Sequence, residues 1–180
     1  MSKKVFILST SLRSKSNSQA LAEAFAQGAL AAGNEVELIS LKDKSIAFCK
    51  GCLACQKIGK CVIEDDAIAI TEKMKDAQVI VWATPIYYYE MSGQMKAMID
   101  RANSLYSTDY AFRDIYLLST AAEAEEGVDE GAIHGLNGWI ACYERARLAG
   151  TVFAGGVNEG GAIKGHPAIQ KAYEMGKSIS

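Results

Sequence analysis

Proline is scarce, with two in 180 residues, so long helices can run without interruption. Long hydrophobic runs are missing too. No stretch approaches the ~18 apolar residues of a membrane-spanning helix. Near the amino terminus Val5-Phe6-Ile7-Leu8 stops at Ser9-Thr10-Ser11, short of the about 7–15 apolar residues of a secretory signal. No charge of one sign dominates: 19 basic side chains face 21 acidic ones, for a net charge of -2. Broad binding to nucleic acid or to an anionic membrane surface needs a concentrated basic face, so neither is expected. Internal repeats and low-complexity segments are absent, and a hydrophobic content of 49% with 22% charged residues excludes disorder and coiled coils. Histidine is limited to His134 and His166, too far apart for a ligand pair. What remains is a chain expected to form one cytoplasmic domain over residues 1–180, long enough to bury roughly 70% of its unfolded surface. Its composition has one unusual feature: four of its five cysteines fall in one short segment.

Strand and helix patterns alternate along the chain. Val5 to Ser9, Gln78 to Ala83 and Ile115 to Ser119 are short β-forming runs, apolar enough to be buried on both faces. Glu35 to Leu41 alternates apolar and polar residues, as an edge strand does, and Gly150 to Gly155 supplies a fifth strand. Helical spacing marks Asn17 to Ala32, Ala67 to Lys75, Met91 to Leu105, Gly131 to Leu148 and Pro167 to Ile179. Strands separated by helices imply right-handed crossovers and a parallel sheet covered on both faces. The cysteines lie in an irregular excursion at about 42–66.

The first strand-to-helix turn selects among the doubly wound folds. A dinucleotide fold places G-x-G-x-x-G there; this chain has Ser9-Thr10-Ser11-Leu12-Arg13-Ser14-Lys15-Ser16-Asn17-Ser18 instead. Hydroxyls, an amide, two cations and the free N–H groups of a helix start converge on one place, as a phosphate monoester requires. Ser16, Asn17 and Ser18 also suit simple helix capping, but one cap needs one such residue. After the third strand comes Thr84-Pro85-Ile86-Tyr87-Tyr88-Tyr89-Glu90-Met91-Ser92. Three consecutive tyrosines cannot all face a core, so at least one should stand at the surface. There it can pack on a flat heterocycle or against a domain edge or subunit.

These motifs, with the cysteine spacing C-x2-C-x2-C-x5-C and the run T-P-I-Y-Y…S-G-Q-M-K-x-x-I-D-R ending at Arg101, resemble the NADPH-dependent FMN reductase and iron–sulfur flavoprotein family. The tail from Gly161 to Ala168 is similar as well. The resemblance implies a flavodoxin-like three-layer α/β/α sandwich with a five-stranded parallel sheet of order 2-1-3-4-5. It implies that Ser11, Arg13, Ser16, Asn17 and Ser18 hold the phosphate of FMN. Thr84, Pro85, Ile86, Tyr87, Tyr88, Met91 and Ser92 would flank the ribityl chain and ring, and Ser119, Thr120 and Ala121 would approach the ring's other edge. Hydride from NAD(P)H would pass to the flavin and electrons onward to a small acceptor such as a quinone or nitro compound. Family members form homodimers or homotetramers, with the flavin near a subunit boundary.

For Cys49, Cys52, Cys55 and Cys61 three readings stand. Four thiolates in so short a loop can wrap one metal centre. The family resemblance suggests a [4Fe–4S] cluster, with Lys50, Lys57 and Lys60 offsetting its charge; zinc is an alternative. The thiols can also be free or disulfide-linked in a structural loop. A cluster would favour an electron carrier with FMN, a ferredoxin-like donor and no nicotinamide site. Cys142 reads as a buried small residue, Asp65-Asp66 as a helix cap, Asp100-Arg101 as a helix-end ion pair, and Glu123, Glu125 and Glu126 as a solvated face.

Overall fold

The computed structural model describes residues 2–180. Its strands are β1 (Lys4–Ser9), β2 (Glu35–Ser40), β3 (Val79–Tyr87), β4 (Glu90–Met91), β5 (Asp114–Thr120) and β6 (Arg147–Ala154). The helices are α1 (Asn17–Ala31), α2 (Ala54–Ile58), α3 (Asp66–Asp76), α4 (Gly93–Arg101), α5 (Glu130–Ile140) and α6 (Pro167–Lys177). Five strands pair in parallel in the order β2-β1-β3-β5-β6, and β4 folds back antiparallel on the end of β3. With that hairpin strand set aside, this is the expected flavodoxin-like order.

Period-two alternation divides each strand between two cores. Phe6, Leu8, Ile80, Trp82, Ile115 and Leu117 face α3, α4 and α5. Val5, Ile7, Val79, Val81 and Leu118 face α1 and α6. Both faces are apolar, which is why these runs show no polar face in the sequence. Because α1 returns the chain to one side of β1 and α3 carries it to the other, β1 and β3 flank a crevice at their carboxyl ends.

Several boundaries differ from expectation. The helix expected over Gly131 to Leu148 stops at Ile140 and the last strand begins at Arg147. The chain turns there because Tyr143 is drawn into a cluster with Tyr110, Phe112 and Trp139, while the Arg147 N–H donates to the Arg113 carbonyl at 2.8 Å. Cys142 consequently sits on a turn and is exposed, not buried. Met91 belongs to the β3–β4 hairpin, so α4 starts two residues later, capped by Ser92, and runs into a 3₁₀ turn over Ala102–Leu105. The excursion holds a short helix, α2, that apolar spacing did not signal. No described helix is long and apolar enough to cross a membrane.

Helices α1 and α6 approach each other closely at two glycines. A methyl group at Gly28 would collide with the Tyr173 carbonyl, and one at Gly176 with the Phe25 carbonyl. Gly28→Ala should therefore cost about 1–3 kcal/mol by overpacking, a drop in Tm of roughly 2–4 °C per kcal/mol. A thermal melt checks this.

Candidate functional site

A cleft of about 390 Å³ opens at the carboxyl ends of β1, β3 and β5, within the roughly 300–1,000 Å³ of small-molecule sites. Ser11, Arg13, Ser16, Asn17 and Ser18 form one wall, Pro85 to Tyr89 a second, and Thr120 to Glu123 a third. The first wall is built by the start of α1. Ser16 is its cap, with Oγ accepting from the Gln19 N–H at 3.1 Å. The N–H groups of Asn17 and Ser18, in the first turn, have no intrahelical acceptor and carry the positive end of the dipole. Arg13 crosses the mouth, its Nη1 donating to the Asn158 carbonyl at 2.7 Å.

Thr84, Met91, Ser92 and Ser119, expected at the ligand, lie behind the cleft wall. Thr84 and Ser92 are fully buried and hydrogen-bond each other at 3.2 Å, and Ser92 also meets the Thr10 hydroxyl at 3.0 Å. This hydroxyl group ties the ends of β1 and β3 to the start of α4. Ser119 Oγ donates to the buried Asp129 carboxylate at 2.5 Å, anchoring the loop that carries Thr120 and Ala121. Met91 is buried against the aligned face of α5 at Gly135. Asn17 lines the cleft, but its side chain is occupied elsewhere. Its Nδ2 donates to the Val157 and Glu159 carbonyls, and its Oδ1 accepts from the Gly161 and Ile163 N–H groups. Only its backbone is left for a ligand.

Val157 and Asn158, brought into the cleft by those bonds, were missed from the sequence, as were Tyr89, Ala122 and Glu123. The similarity of the Gly161 to Ala168 tail was the one available signal. His166 caps α6 through Nδ1, which accepts from the Ala168 N–H at 3.1 Å, and His134 is exposed. Glu123, Glu125 and Glu126 are exposed as expected.

The tyrosine wall is strained. Tyr88 and Tyr89 adopt φ of 51° and 66° at the tip of the β3–β4 hairpin, and Tyr88 is 99% exposed. Left-handed backbone costs an L-residue roughly 1–2 kcal/mol, and Asn-Gly is the pair that fits such turns.

The four motif cysteines form a second candidate site. Cys49, Cys52, Cys55 and Cys61 all line one small hollow of about 20 Å³, together with Arg101 and Asn103. The volume is close to that of a single water, and no three described His, Cys, Asp or Glu side chains stand in ligating geometry. The donor set is nonetheless of the kind that takes a thiolate-bound metal: four free thiols line the hollow beside a buried cation, without standing in ligating geometry. Lys50, Lys57 and Lys60 are all exposed. Arg101 does not pair with Asp100, which is bonded to Lys96. It forms a two-pronged ion pair with Asp65, at 2.5 and 2.8 Å. Asp65 does cap α3 as expected, its Oδ1 accepting from the Ala67 N–H. Burial alone would raise the Asp65 carboxyl, but hydrogen bonds from Arg101, Ala47 and Ala67 outweigh it and hold it below the ordinary carboxylate range. The pair's stabilisation is complete above that ordinary range and is lost as pH falls through the lowered value.

The family model for NADPH-dependent FMN reductase matches residues 3–142. The chain belongs to this family. An iron–sulfur flavoprotein of Archaeoglobus fulgidus is 40% identical over 100 residues, which is 56% of this chain and 49% of that protein. The chain thus spans about half the length of that relative. An iron–sulfur flavoprotein of Methanosarcina thermophila is 28% identical over 96% of this chain and 87% of its own length. Among solved structures, an NAD(P)H:quinone oxidoreductase from Methanothermobacter marburgensis superposes with a TM-score of 0.75 at 19% identity, covering 100% of both chains. That likeness concerns the fold. Within the family fold described here, replacing Tyr88-Tyr89 by Asn-Gly should relieve the hairpin and raise Tm by a few degrees, read by calorimetry.

Proposed function

We propose that this chain is an FMN-dependent oxidoreductase that takes electrons from NAD(P)H and delivers them to a small acceptor of the quinone or nitro class. One observation carries the reading: the cleft joins a helix start rich in hydroxyls to an exposed aromatic wall, at the switch point of the sheet. The two halves fit the two ends of a flavin mononucleotide. The Ser11, Ser16 and Ser18 hydroxyls and the N–H groups of Asn17 and Ser18 would hold its phosphate, with the Arg13 guanidinium adding charge. Pro85 to Tyr88 would flank the ribityl chain and ring, and Thr120 to Glu123 would limit the ring's other edge. Bound FMN would supply a carrier able to accept a hydride and release electrons onward. The chain's own part is to bind, orient and exclude water, so no side chain is assigned as an acid or base. Tyr87, Tyr88 and Tyr89, all exposed, would be partly covered in a homodimer or homotetramer. The sequence pattern fits a single cytoplasmic domain.

A second reading is an electron carrier with FMN and a thiolate-bound iron–sulfur centre, fed by a ferredoxin-like donor without nicotinamide. It is favoured by the gathering of all four motif cysteines on one hollow. Cys49, Cys52, Cys55 and Cys61 would hold the centre, which would supply single-electron transfer.

FMN titration of the apoprotein, followed by fluorescence, tests the cleft. Arg13→Ala should weaken binding about 10–100-fold by loss of a charged hydrogen bond. Ser16→Ala should add the loss of its cap, about 1 kcal/mol. Unchanged affinity in both variants would move the phosphate elsewhere. Anaerobically purified protein should oxidise NADH or NADPH in the presence of a quinone; cluster-level iron without nicotinamide turnover would select the second reading.

A further inference from the structure

A guanidinium carries five N–H donors, and a buried one must find an acceptor for each or lose the free energy of desolvating it. Arg101 is 2% exposed. Its four Nη hydrogens are taken. Nη1 donates to Asp65 Oδ2 and to the Ala47 carbonyl at 2.9 Å, and Nη2 donates to Asp65 Oδ1 and to the Ile63 carbonyl at 3.0 Å. Asp65 Oδ2 in turn accepts from the Ala47 N–H at 2.8 Å. Ala47 stands just before Cys49 and Ile63 just after Cys61, so one ion pair fastens both ends of the segment that contains all four motif cysteines.

The fifth hydrogen, on Nε, is buried and has no hydrogen-bond partner among the described residues. Arg101 and the four cysteines line the same hollow. The cysteine sulfurs there can accept hydrogen bonds. The Cys55 sulfur already accepts from Asn103 Nδ2 at 3.2 Å, and the Cys49 sulfur from the Gly51 N–H at 3.4 Å. A buried positive charge with a spare donor suits four thiolates, whose mutual repulsion is the main obstacle to gathering them.

We propose that Arg101 is the positioning residue of a four-thiolate metal centre: with Asp65 it draws the ends of the cysteine segment together, and its free Nε–H donates to a sulfur of that centre. The proposal rests on the second reading above. On metal binding the four thiols release their protons to solvent, and the guanidinium offsets part of the negative charge that results. Iron–sulfur and zinc centres share this thiolate chemistry, and the test separates them. Arg101→Lys keeps the charge but loses the two-pronged geometry and the Nε–H; Arg101→Gln loses the charge as well.

The holoprotein and both variants are reconstituted anaerobically with ferrous iron and sulfide, or with zinc, and analysed for metal, sulfide, visible spectrum, midpoint potential and FMN affinity. The expected result is metal retention against a chelator weakened about 10–100-fold in both variants, with a lowered potential in any iron–sulfur centre that remains, while FMN binds as in the parent. Equal retention and potential in parent and variants overturns the proposal. A parent that takes up neither metal while binding FMN normally also overturns it and leaves the FMN reading standing. Should both variants fail to fold, pulsed EPR of the reduced parent labelled with ¹⁵N-arginine decides, with cobalt replacing zinc if zinc is the metal bound. A ¹⁵N coupling supports the bond, and its absence refutes it.

Discussion

The position of β1 between β2 and β3 determines most of what this molecule can do. Parallel strands need right-handed crossovers; α1, which leads from β1 to β2, and α3, which leads from β2 back to β3, cover opposite faces of the sheet. The crevice between their exits cannot be filled by either helix. The loops after β1, β3 and β5 therefore end around one cleft, and the dipole of α1 points into it. The hydroxyl-rich character of the first loop matters only because the topology leaves that space open.

Helix α4 connects the two candidate sites. Its cap, Ser92, belongs to the buried hydroxyl group that fixes the ends of β1 and β3, and its last residue, Arg101, holds the cysteine segment. Nine residues at 1.5 Å per residue give a strut about 13–14 Å long. Met95 and Met98, buried on its inner face, key the strut to the sheet. The loops of the cleft and the thiols are thus held at a fixed separation by one rigid element. The ion pair at its end is of the kind whose disruption costs about 3–5 kcal/mol, because the abandoned partner stays buried and charged.

The strands and the loops after β1 and β3 were legible because their signals are local: apolar runs, a cap, a change of periodicity; the order of the sheet followed from the family resemblance. What was not legible depends on partners distant in sequence. Asp100 and Arg101 are neighbours, and the simple reading pairs them; the fold instead sends Arg101 to Asp65, 36 residues away. Asn17 looks like a ligand or a cap, yet its amide is spent on a loop more than 140 residues later. Thr84, Ser92 and Ser119 have the right chemistry for a ligand, but strand alternation turns Thr84 and Ser119 inward and the start of α4 buries Ser92, so they bind other hydroxyls and a carboxylate. The end of α5 was misplaced because Tyr143 carries no breaker signal of its own; an aromatic cluster assembled from three segments stops the helix. The cysteines were recognised from their spacing and the family resemblance, whereas the sequence alone reads the cation that accompanies them as half of a helix-end ion pair.

The closure of the cysteine segment on a single side chain has a consequence for its length. Ala47 and Ile63 meet at Arg101, so the ends of the excursion are neighbours in space although fifteen residues lie between them. Closing a longer or shorter loop between neighbouring ends changes the entropy only slowly, about 0.6 kcal/mol per doubling. The segment is thus a cassette. It can be lengthened, shortened or replaced by a plain turn without disturbing the strands that form the cleft.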